Sequence, residues 1–249
     1  MSRSAIVITG GTRGIGAAIA RELAASGHDL VLAYRSDTPA AALLQAELRS
    51  GGARCEIVQA DVTVEADIVR LFDAALERFG RVDGLVNNAG ATMHIGSLAD
   101  TPAETVRAVI DLNLTAAVLC ARQAVRLMST RFGGAGGVIV NISSGAATLG
   151  SPGEYVHYAA AKAGVDALTL GLAKEVGPEG IRVVGVAPGT IRTDIHADAG
   201  DAGRPERVAS RVPLGRAGEV EDVAPLVGWL FGPGAGFITG TTIRVAGGS

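Results

Sequence analysis

Residues 5–16 read AIVITGGTRGIG, a short apolar run followed at once by a turn rich in glycine. The apolar run is typical of a buried strand, and the residues that follow Gly14 have helical spacing. Glycines at 10, 14 and 16 allow a sharp turn, and the next helix directs free N–H groups and its positive dipole end at that turn. An ordinary strand-to-helix turn is the alternative, but this context favours a site that binds the pyrophosphate of a dinucleotide.

The same alternation of short apolar runs and helical patterns continues along the whole chain. After Ala5-Ile6-Val7-Ile8, the runs predicted as strands are 30–33, 55–58, 85–86, 138–140, 181–186 and 242–245. The predicted helices cover about 14–26, 39–50, 64–79, 101–131, 155–176 and 219–231. Continuously apolar strands that alternate with helices are typical of a parallel sheet covered on both faces, either doubly wound or closed into a barrel.

The ends of two helices are predicted from capping residues and prolines. Thr101, Pro102 and Glu104 form a capping pattern for the helix that follows. Pro225 should bend the last helix or lie in its first turn. Because no repeat or low-complexity linker interrupts the chain, we expect a single domain over residues 1–249, with a mobile loop at about 190–211.

Composition excludes several classes of protein. The chain has 249 residues and a net charge of −3, so a dominant electrostatic grip on nucleic acid is not expected. No apolar run is long enough to span a membrane, and the first residues show no pattern of a secretory signal peptide. Two cysteines without metal-ligand spacing argue against disulfides and a metal site. We expect a cytoplasmic protein that binds neither metal, membrane nor nucleic acid.

Tyr158 and Lys162 are four residues apart in a predicted helix, which places them on one face. A tyrosine hydroxyl has a pKa of about 10 in water, and a neighbouring ammonium group lowers it toward the range useful for acid–base catalysis. Lys162 and Lys174 are the two lysines of a chain that otherwise uses arginine. In isolation this spacing is also compatible with an exposed lysine beside a packed tyrosine.

Further motifs occur in a fixed order along the chain. They are the glycine turn, Asn87-Asn88-Ala89-Gly90, Asn113, Ser144, Tyr158 with Lys162, Pro188-Gly189 and the run from Gly240 to Gly248. Together they resemble the short-chain dehydrogenase/reductase family over about residues 5–248. The resemblance implies an α/β fold of the Rossmann type, in which a doubly wound, seven-stranded parallel sheet carries helices on both faces.

The resemblance also implies a set of site residues. Its catalytic residues are Asn113, Ser144, Tyr158 and Lys162. Its cofactor-binding residues are Gly10, Thr12, Arg13, Gly14, Ile15, Gly16, Arg35, Asp61, Val62, Asn88, Ala89, Gly90, Tyr158, Lys162, Pro188, Gly189, Ile191 and Thr193. Asn87 is expected on the ribose side of the pocket, and Ser143 is expected to have a structural role. In the family, the asparagine distorts its helix and holds a water that connects the lysine to solvent.

The second predicted strand ends in Tyr34-Arg35-Ser36, without the carboxylate that would bind the ribose of NAD. Arg35 has a guanidinium group suited to a phosphate, and Arg13 in the glycine turn is able to approach the same group. The alternative is that both arginines are surface residues whose charges are exposed to solvent. By resemblance this pair favours NADP(H), with NAD(H) possible.

The function implied by these residues is NADP(H)-dependent hydride transfer between a small-molecule carbonyl and a secondary alcohol. The alternatives are a non-catalytic dinucleotide-sensing regulatory protein and a serine hydrolase, for which the GxSxG spacing is missing at residues 142–145. Within the family, the chain most resembles members that act on 3-oxoacyl-[acyl-carrier-protein] and members that act on glucose. Because these two substrates differ greatly, the resemblance does not determine the substrate. Segments 93–95, 148–155 and 190–211 should determine specificity, with His94 at the pocket rim. Family members commonly form homotetramers or homodimers.

Overall fold

A computed structural model describes residues 3–249, and within that range seven parallel strands form one sheet in the order β3-β2-β1-β4-β5-β6-β7. The strands are β1 (Ala5–Ile8), β2 (Asp29–Tyr34), β3 (Cys55–Gln59), β4 (Gly84–Asn87), β5 (Gly137–Ile142), β6 (Ile181–Pro188) and β7 (Thr242–Val245). The chain leaves β1 toward β2 and β3 and later returns to pair β4 with β1 on its other side. This change of direction opens a crevice at the carboxyl ends of the strands, where sheets of this kind bind ligands. The predicted α/β fold is confirmed.

Helices connect successive strands on both faces of the sheet. They are α1 (Gly14–Ala25), α2 (Thr38–Ser50), α3 (Glu65–Phe79), α4 (Ala103–Ile110), α5 (Ala116–Met128), α6 (Ala146–Leu149), α7 (Val156–Val176), α8 (Ile195–Asp198), α9 (Arg204–Ala209) and α10 (Ala224–Phe231). Apolar residues of α1 and α10 pack on one face, and those of α3, α5 and α7 pack on the other. Since strand side chains alternate between faces, Ile6 contributes to the first cluster and Val7 to the second.

Two details of the helices differ from the sequence prediction. The helix predicted over 101–131 has a π-helical segment, Asp111–Thr115, between α4 and α5. The Thr101 hydroxyl does not cap α4 but donates to the carbonyl of Ser97, and α4 begins after Pro102 without a side-chain cap. Pro225 lies in the first turn of α10, as predicted.

The loop predicted at 190–211 contains the short helices α8 and α9, and we call residues 190–211 the substrate loop. Arg192, near the start of this loop, forms an ion pair with Glu206 of α9 at 3.1 Å and another with Glu219, beyond the loop, at 2.7 Å. The ion pairs and the two short helices give the substrate loop more internal structure than its polar, glycine-bearing sequence predicts.

One continuous helical stretch, Ala103–Met128, is long and apolar enough to cross a membrane by length and composition alone. Its inner face is buried against the sheet through residues such as Cys120, Ala124 and Met128. The core helix of a protein without a membrane segment passes the same test, and the packing of this helix fits that interpretation.

Candidate active site

A cavity of about 910 Å³ extends along the carboxyl ends of the strands, from the end of β2 to the substrate loop. Most of the residues implied by the sequence line this cavity. They are Gly10, Thr12, Arg13, Gly14, Ile15, Arg35, Asp61, Val62, Asn88, Ala89, Gly90, Ser144, Tyr158, Lys162, Pro188, Gly189, Ile191 and Thr193. Two residues of the implied set, Gly16 and Asn113, lie outside the lining.

The glycine turn is held in a shape that only glycine can supply. Gly10 and Gly14 have φ angles of +59° and +50°, in the left-handed region. A Cβ atom on Gly16 would lie 2.1 Å from the carbonyl oxygen of Gly10. Gly16 therefore lets α1 pack against the turn, and its implied contact with the cofactor stays a prediction. The cradle left by Gly10 and Gly14 fits a pyrophosphate at the N-terminus of α1.

Asn88 clamps this turn to the end of β4. Its Nδ2 donates to the carbonyl oxygens of Thr9 and Gly10, at 3.0 and 2.9 Å. In return the Thr9 hydroxyl oxygen accepts from the backbone N–H groups of Asn88 and Ala89, both at 3.0 Å. The turn thus keeps its shape through side-chain bonds as well as through its glycines.

Asn87 differs from the expectation that it lines the ribose side of the pocket. Its side chain is buried within the sheet layer, where Nδ2 donates to the Ala117 carbonyl at 3.1 Å and to Asn141 Oδ1 at 3.0 Å. Asn141 in turn donates to the Thr169 hydroxyl at 2.9 Å. Because β4 residues alternate between faces, the side chain of Asn87 joins this buried polar chain instead.

Cationic groups lie at the end of the cavity beside β2. Arg35 is exposed and, within residues 3–249, its guanidinium forms no ion pair. Arg13 is paired with Asp198 of α8 at 3.0 Å, and both side chains are more than half exposed. An exposed pair of this kind is worth at most about 1 kcal/mol, so Arg13 can readily exchange Asp198 for a phosphate.

Asp61 lies at the end of β3 with its carboxylate already engaged. Oδ1 accepts from the backbone N–H and the hydroxyl of Thr63, at 2.9 and 2.7 Å. These bonds hold Asp61 as part of a turn before α3, which begins at Glu65 without a side-chain cap. Its implied contact with the cofactor stays a prediction.

The two serines that follow β5 have different surroundings. Ser144 lines the cavity with Tyr158 and lies close enough to its hydroxyl to lower the pKa of Tyr158 by hydrogen bonding, while the Ser144 Oγ accepts from the backbone N–H of Ala146 at 3.1 Å. The Ser143 hydroxyl is buried against α7 and has a long contact of 3.4 Å with the carbonyl of Lys162. Ser144 is therefore the serine placed beside the tyrosine.

Tyr158 and Lys162 lie on one face of α7, as their spacing predicts. The Lys162 Nζ is 5.7 Å from the centre of the Tyr158 ring, and it donates to the carbonyl of Ile142 at 2.9 Å. Both side chains are buried. Burial lowers the pKa of Lys162 to about 8, against the opposing effect of Asp166.

The pKa of Tyr158 moves in the opposite direction to the one expected from a neighbouring ammonium. Burial raises this pKa above the usual value of tyrosine, although the hydrogen bond with Ser144 lowers it in part. The physical reason is that desolvation penalises the phenolate, and the neighbouring Tyr155 adds to the rise of the pKa. In the chain by itself, Tyr158 is thus a neutral acid at pH 7.

Asn113 lies in the π-helical segment, which agrees with the distortion implied for this position. Its Nδ2 donates to the carbonyls of Ala91 and Val109, at 2.8 and 2.9 Å. Its Oδ1 is buried and has no hydrogen-bond partner among residues 3–249. A Cβ on Gly90 would lie 2.6 Å from this oxygen and 3.4 Å from the Lys162 Nζ. Gly90 thus leaves space between the two groups, and an unpaired acceptor there fits a small polar molecule such as water.

A family model described as Enoyl-(Acyl carrier protein) reductase matches residues 10–249. The chain belongs to the short-chain dehydrogenase/reductase family. It is 42% identical to "Uncharacterized oxidoreductase YgfF" of Escherichia coli over 97% of this chain and 98% of that protein. It is 40% identical to a 3-oxoacyl-[acyl-carrier-protein] reductase of Synechocystis over 97% of this chain and 95% of that protein.

A solved short-chain dehydrogenase from Burkholderia cenocepacia, in complex with NADP, has the same fold. It superposes with a TM-score of 0.89 and is 36% identical, covering 99% of this chain and 97% of that chain. These likenesses confirm that the protein is an oxidoreductase of a family that uses nicotinamide cofactors.

The structure also places on the cavity two residues of this short-chain dehydrogenase/reductase that were not named individually from the sequence. Arg204 of the substrate loop and Arg244 of β7 both line it. Arg244 donates to the Gly145 carbonyl at 3.1 Å and to the Thr148 hydroxyl at 2.9 Å, which braces the segment after Ser144. The places of Arg204 and Arg244 on the cavity cannot be predicted from a local sequence pattern, because each residue contacts segments that lie far away in the chain.

Of the segments expected to determine specificity, the structure places Met93, Leu149, Tyr155 and much of the substrate loop on the cavity. His94 differs: it lies outside the lining, with its Nε2 buried and unpaired. Among residues 3–249, no group of three or more His, Cys, Asp or Glu side chains is arranged to hold a metal ion.

Proposed function

We propose that this short-chain dehydrogenase/reductase is an NADP(H)-dependent enzyme that interconverts a carbonyl and a secondary alcohol, with Tyr158 as general acid and base. The observation that supports it is the hydrogen bond of Tyr158 with Ser144 on the wall of the cavity, above the buried Lys162. This arrangement lies beside the glycine turn at the edge of the sheet where a dinucleotide binds.

Each residue has a separate task in this proposal. The cofactor supplies or accepts the hydride when it is bound. Ser144 donates a hydrogen bond to the substrate oxygen as negative charge develops there. Tyr158 delivers the proton during reduction, and its raised pKa keeps that proton in place at neutral pH. Lys162 orients the ribose and favours the phenolate once the proton has left, while Asn113 Oδ1 holds water that returns a proton.

The preference for NADP(H) rests on charge at the adenosine end. Arg35 is free to form a forked contact with a phosphate, and Arg13 lies on the neighbouring turn. Replacing Arg35 by Ala should weaken NADPH binding about tenfold or more and leave NADH binding nearly unchanged, since only NADPH carries the second phosphate. Fluorescence titration of both cofactors measures this difference.

The remaining parts of the proposal concern substrate, assembly and location. The substrate is a small carbonyl compound or alcohol, and the protein is proposed to be a cytoplasmic homotetramer or homodimer with a single domain. The 3-oxoacyl-[acyl-carrier-protein] reductase among its relatives makes 3-oxoacyl thioesters a first class of substrate to test.

The decisive experiment follows NADPH absorbance against a panel of 3-oxoacyl thioesters, aldoses and simple ketones, in both directions. Tyr158→Phe should lower kcat at least about 100-fold while NADPH still binds, because it removes the proton donor alone. Tight NADPH binding without turnover of any compound, unaffected by Tyr158→Phe, would instead support a dinucleotide-sensing protein.

A further inference from the structure

Arg204, the first residue of α9 in the substrate loop, is buried against residues 154 and 155. Only 8% of its side chain is exposed, and its Nη1 donates to Glu154 Oε1 at 2.5 Å. Its Nη2 donates to the hydroxyl of Tyr155 at 2.7 Å. A buried guanidinium is costly unless it is paired, so these bonds fix where α9 lies.

Tyr155 connects this arginine to the site of chemistry. The Arg204 guanidinium carbon is 5.1 Å from the centre of the Tyr155 ring. On its other side, the Tyr155 ring meets the Tyr158 ring edge to face, with centroids 5.5 Å apart and planes at 89°. Both tyrosines are buried, so neither ring can turn without displacing its neighbour.

We propose that Arg204 is a positioning residue: by holding the Tyr155 hydroxyl, it fixes the ring against which Tyr158 packs and thereby aims the Tyr158 hydroxyl at Ser144. Glu154 balances the charge of Arg204, so the effect is one of orientation. The general acid is consequently aligned when the substrate loop is seated on residues 154 and 155. This inference rests on the proposed function, because it describes how the same tyrosine is placed.

A double-mutant cycle on kcat tests whether Arg204 acts through Tyr155. Arg204→Met removes the donor, and Tyr155→Phe removes the acceptor but keeps the ring. Each should lower kcat about tenfold, the loss of one hydrogen bond from a charged donor, and the double variant should fall no further than either single one. Arg204→Lys, which offers one donor group in place of a fork, should recover only part of the loss.

Arg207→Met is the matched control. Arg207 lies on the same short helix, but it is exposed and its guanidinium group pairs with Asp201. Its replacement should leave kcat and KM unchanged. An equal loss in this variant would mean that any change in α9 disturbs the loop, and it would overturn the specific role of Arg204.

Other outcomes also overturn the inference. If Arg204→Met raises KM and leaves kcat unchanged, Arg204 contacts the substrate and does not position Tyr158. If the losses of kcat in the two single variants multiply in the double variant, Arg204 does not act through Tyr155. Hydrogen exchange of residues 195–209 with NADPH present needs no substrate, and it should rise in Arg204→Met and Tyr155→Phe but not in Arg207→Met. A parent protein that turns over no substrate overturns the proposed function. If the parent is active, and Arg204→Met changes neither its kcat nor the hydrogen exchange of residues 195–209, only this inference is overturned.

Discussion

Ser143 and Ser144 are adjacent in the chain but face different surroundings at the end of β5. The Ser144 hydroxyl meets Tyr158 on the cavity wall, whereas the Ser143 hydroxyl points at the backbone of α7. We expect Ser144→Ala to lower kcat/KM about 100-fold, the usual loss for one donor to a developing oxyanion. Steady-state kinetics on both variants measures this.

Ser143→Ala is the natural comparison, because it removes the same group one residue away. Its 3.4 Å contact is too long to contribute much, so its kcat/KM should stay within about threefold of the parent value. A larger loss in Ser143→Ala than in Ser144→Ala would show that the other serine serves the substrate.

Burying the charged Lys162 ammonium group lowers the free energy of unfolding by an amount that depends on pH. Burial lowers its pKa from 10.5 to about 8, which corresponds to about 3 kcal/mol at 1.4 kcal/mol per pKa unit. The penalty is fully present below pH 8, where the folded protein must bury a charge. It disappears as the pH rises toward 10.5, because the unfolded chain then loses its proton as well.

Lys162→Met should therefore stabilise the protein without cofactor by about 2 kcal/mol at pH 7, after allowance of about 1 kcal/mol for the lost bond to Ile142. The gain should shrink toward zero by about pH 10.5, and activity should be lost. Urea unfolding at several pH values measures the difference. Lys174→Met, the exposed lysine of the same helix, should change neither stability nor activity, and a Lys162→Met protein less stable than its parent at pH 7 would contradict this account.

At the scale of elements, the glycine turn and α1 behave as one unit. A Cβ on Gly16 would lie 2.1 Å from the Gly10 oxygen and 2.6 Å from Asn88 Nδ2, both of which are fixed. Gly16→Ala should cost about 3 kcal/mol or more in unfolding free energy, or else displace the turn and abolish cofactor binding. Denaturant unfolding and NADPH titration distinguish the two results.

Gly171→Ala provides the opposite case. Gly171 lies inside α7 on the exposed side, with open space where a Cβ would be. Because glycine is a poor helix former, this substitution should stabilise the protein by about 1 kcal/mol. Equal effects of the two substitutions would show that the clash at Gly16 is relieved at little cost.

The strands could be predicted because their pattern is local: short segments rich in apolar residues, which form strands of four to eight residues, lie between helical stretches. Most of the cavity lining was implied by the resemblance to the short-chain dehydrogenase/reductase family, whose motifs lie at strand ends that gather at one edge of a parallel sheet. The raised pKa of Tyr158 in the protein without cofactor was not predicted, because burial depends on elements that the spacing of Tyr158 and Lys162 does not describe. Arg204 was missed for a related reason, since its partners lie about fifty residues away at Glu154 and Tyr155.

For the molecule as a whole, the arrangement of apolar side chains bears on assembly. Phe237 is fully exposed, and Leu170 on α7 and Trp229 on α10 are about half exposed. Gly240 lies against Leu170, so the segment after α10 and the outer face of α7 are neighbours. Beside them β7 is an edge strand that pairs with β6 alone among the strands of residues 3–249. Exposed apolar groups next to an open edge are typical of a surface that another subunit covers.

A homotetramer or homodimer that uses this surface should be weakened by Phe237→Ser, since burying a phenylalanine side chain contributes about 2 kcal/mol and a symmetric contact contains it twice. Sedimentation velocity across a range of concentrations should show the variant dissociating at a concentration at least about tenfold higher than the parent. Phe132→Ser is the control, because Phe132 is also exposed but belongs to the turn after α5, where its ring packs against Arg131. A parent protein that sediments as a single chain at micromolar concentration contradicts the assembly, and an equal effect of both variants contradicts the choice of surface.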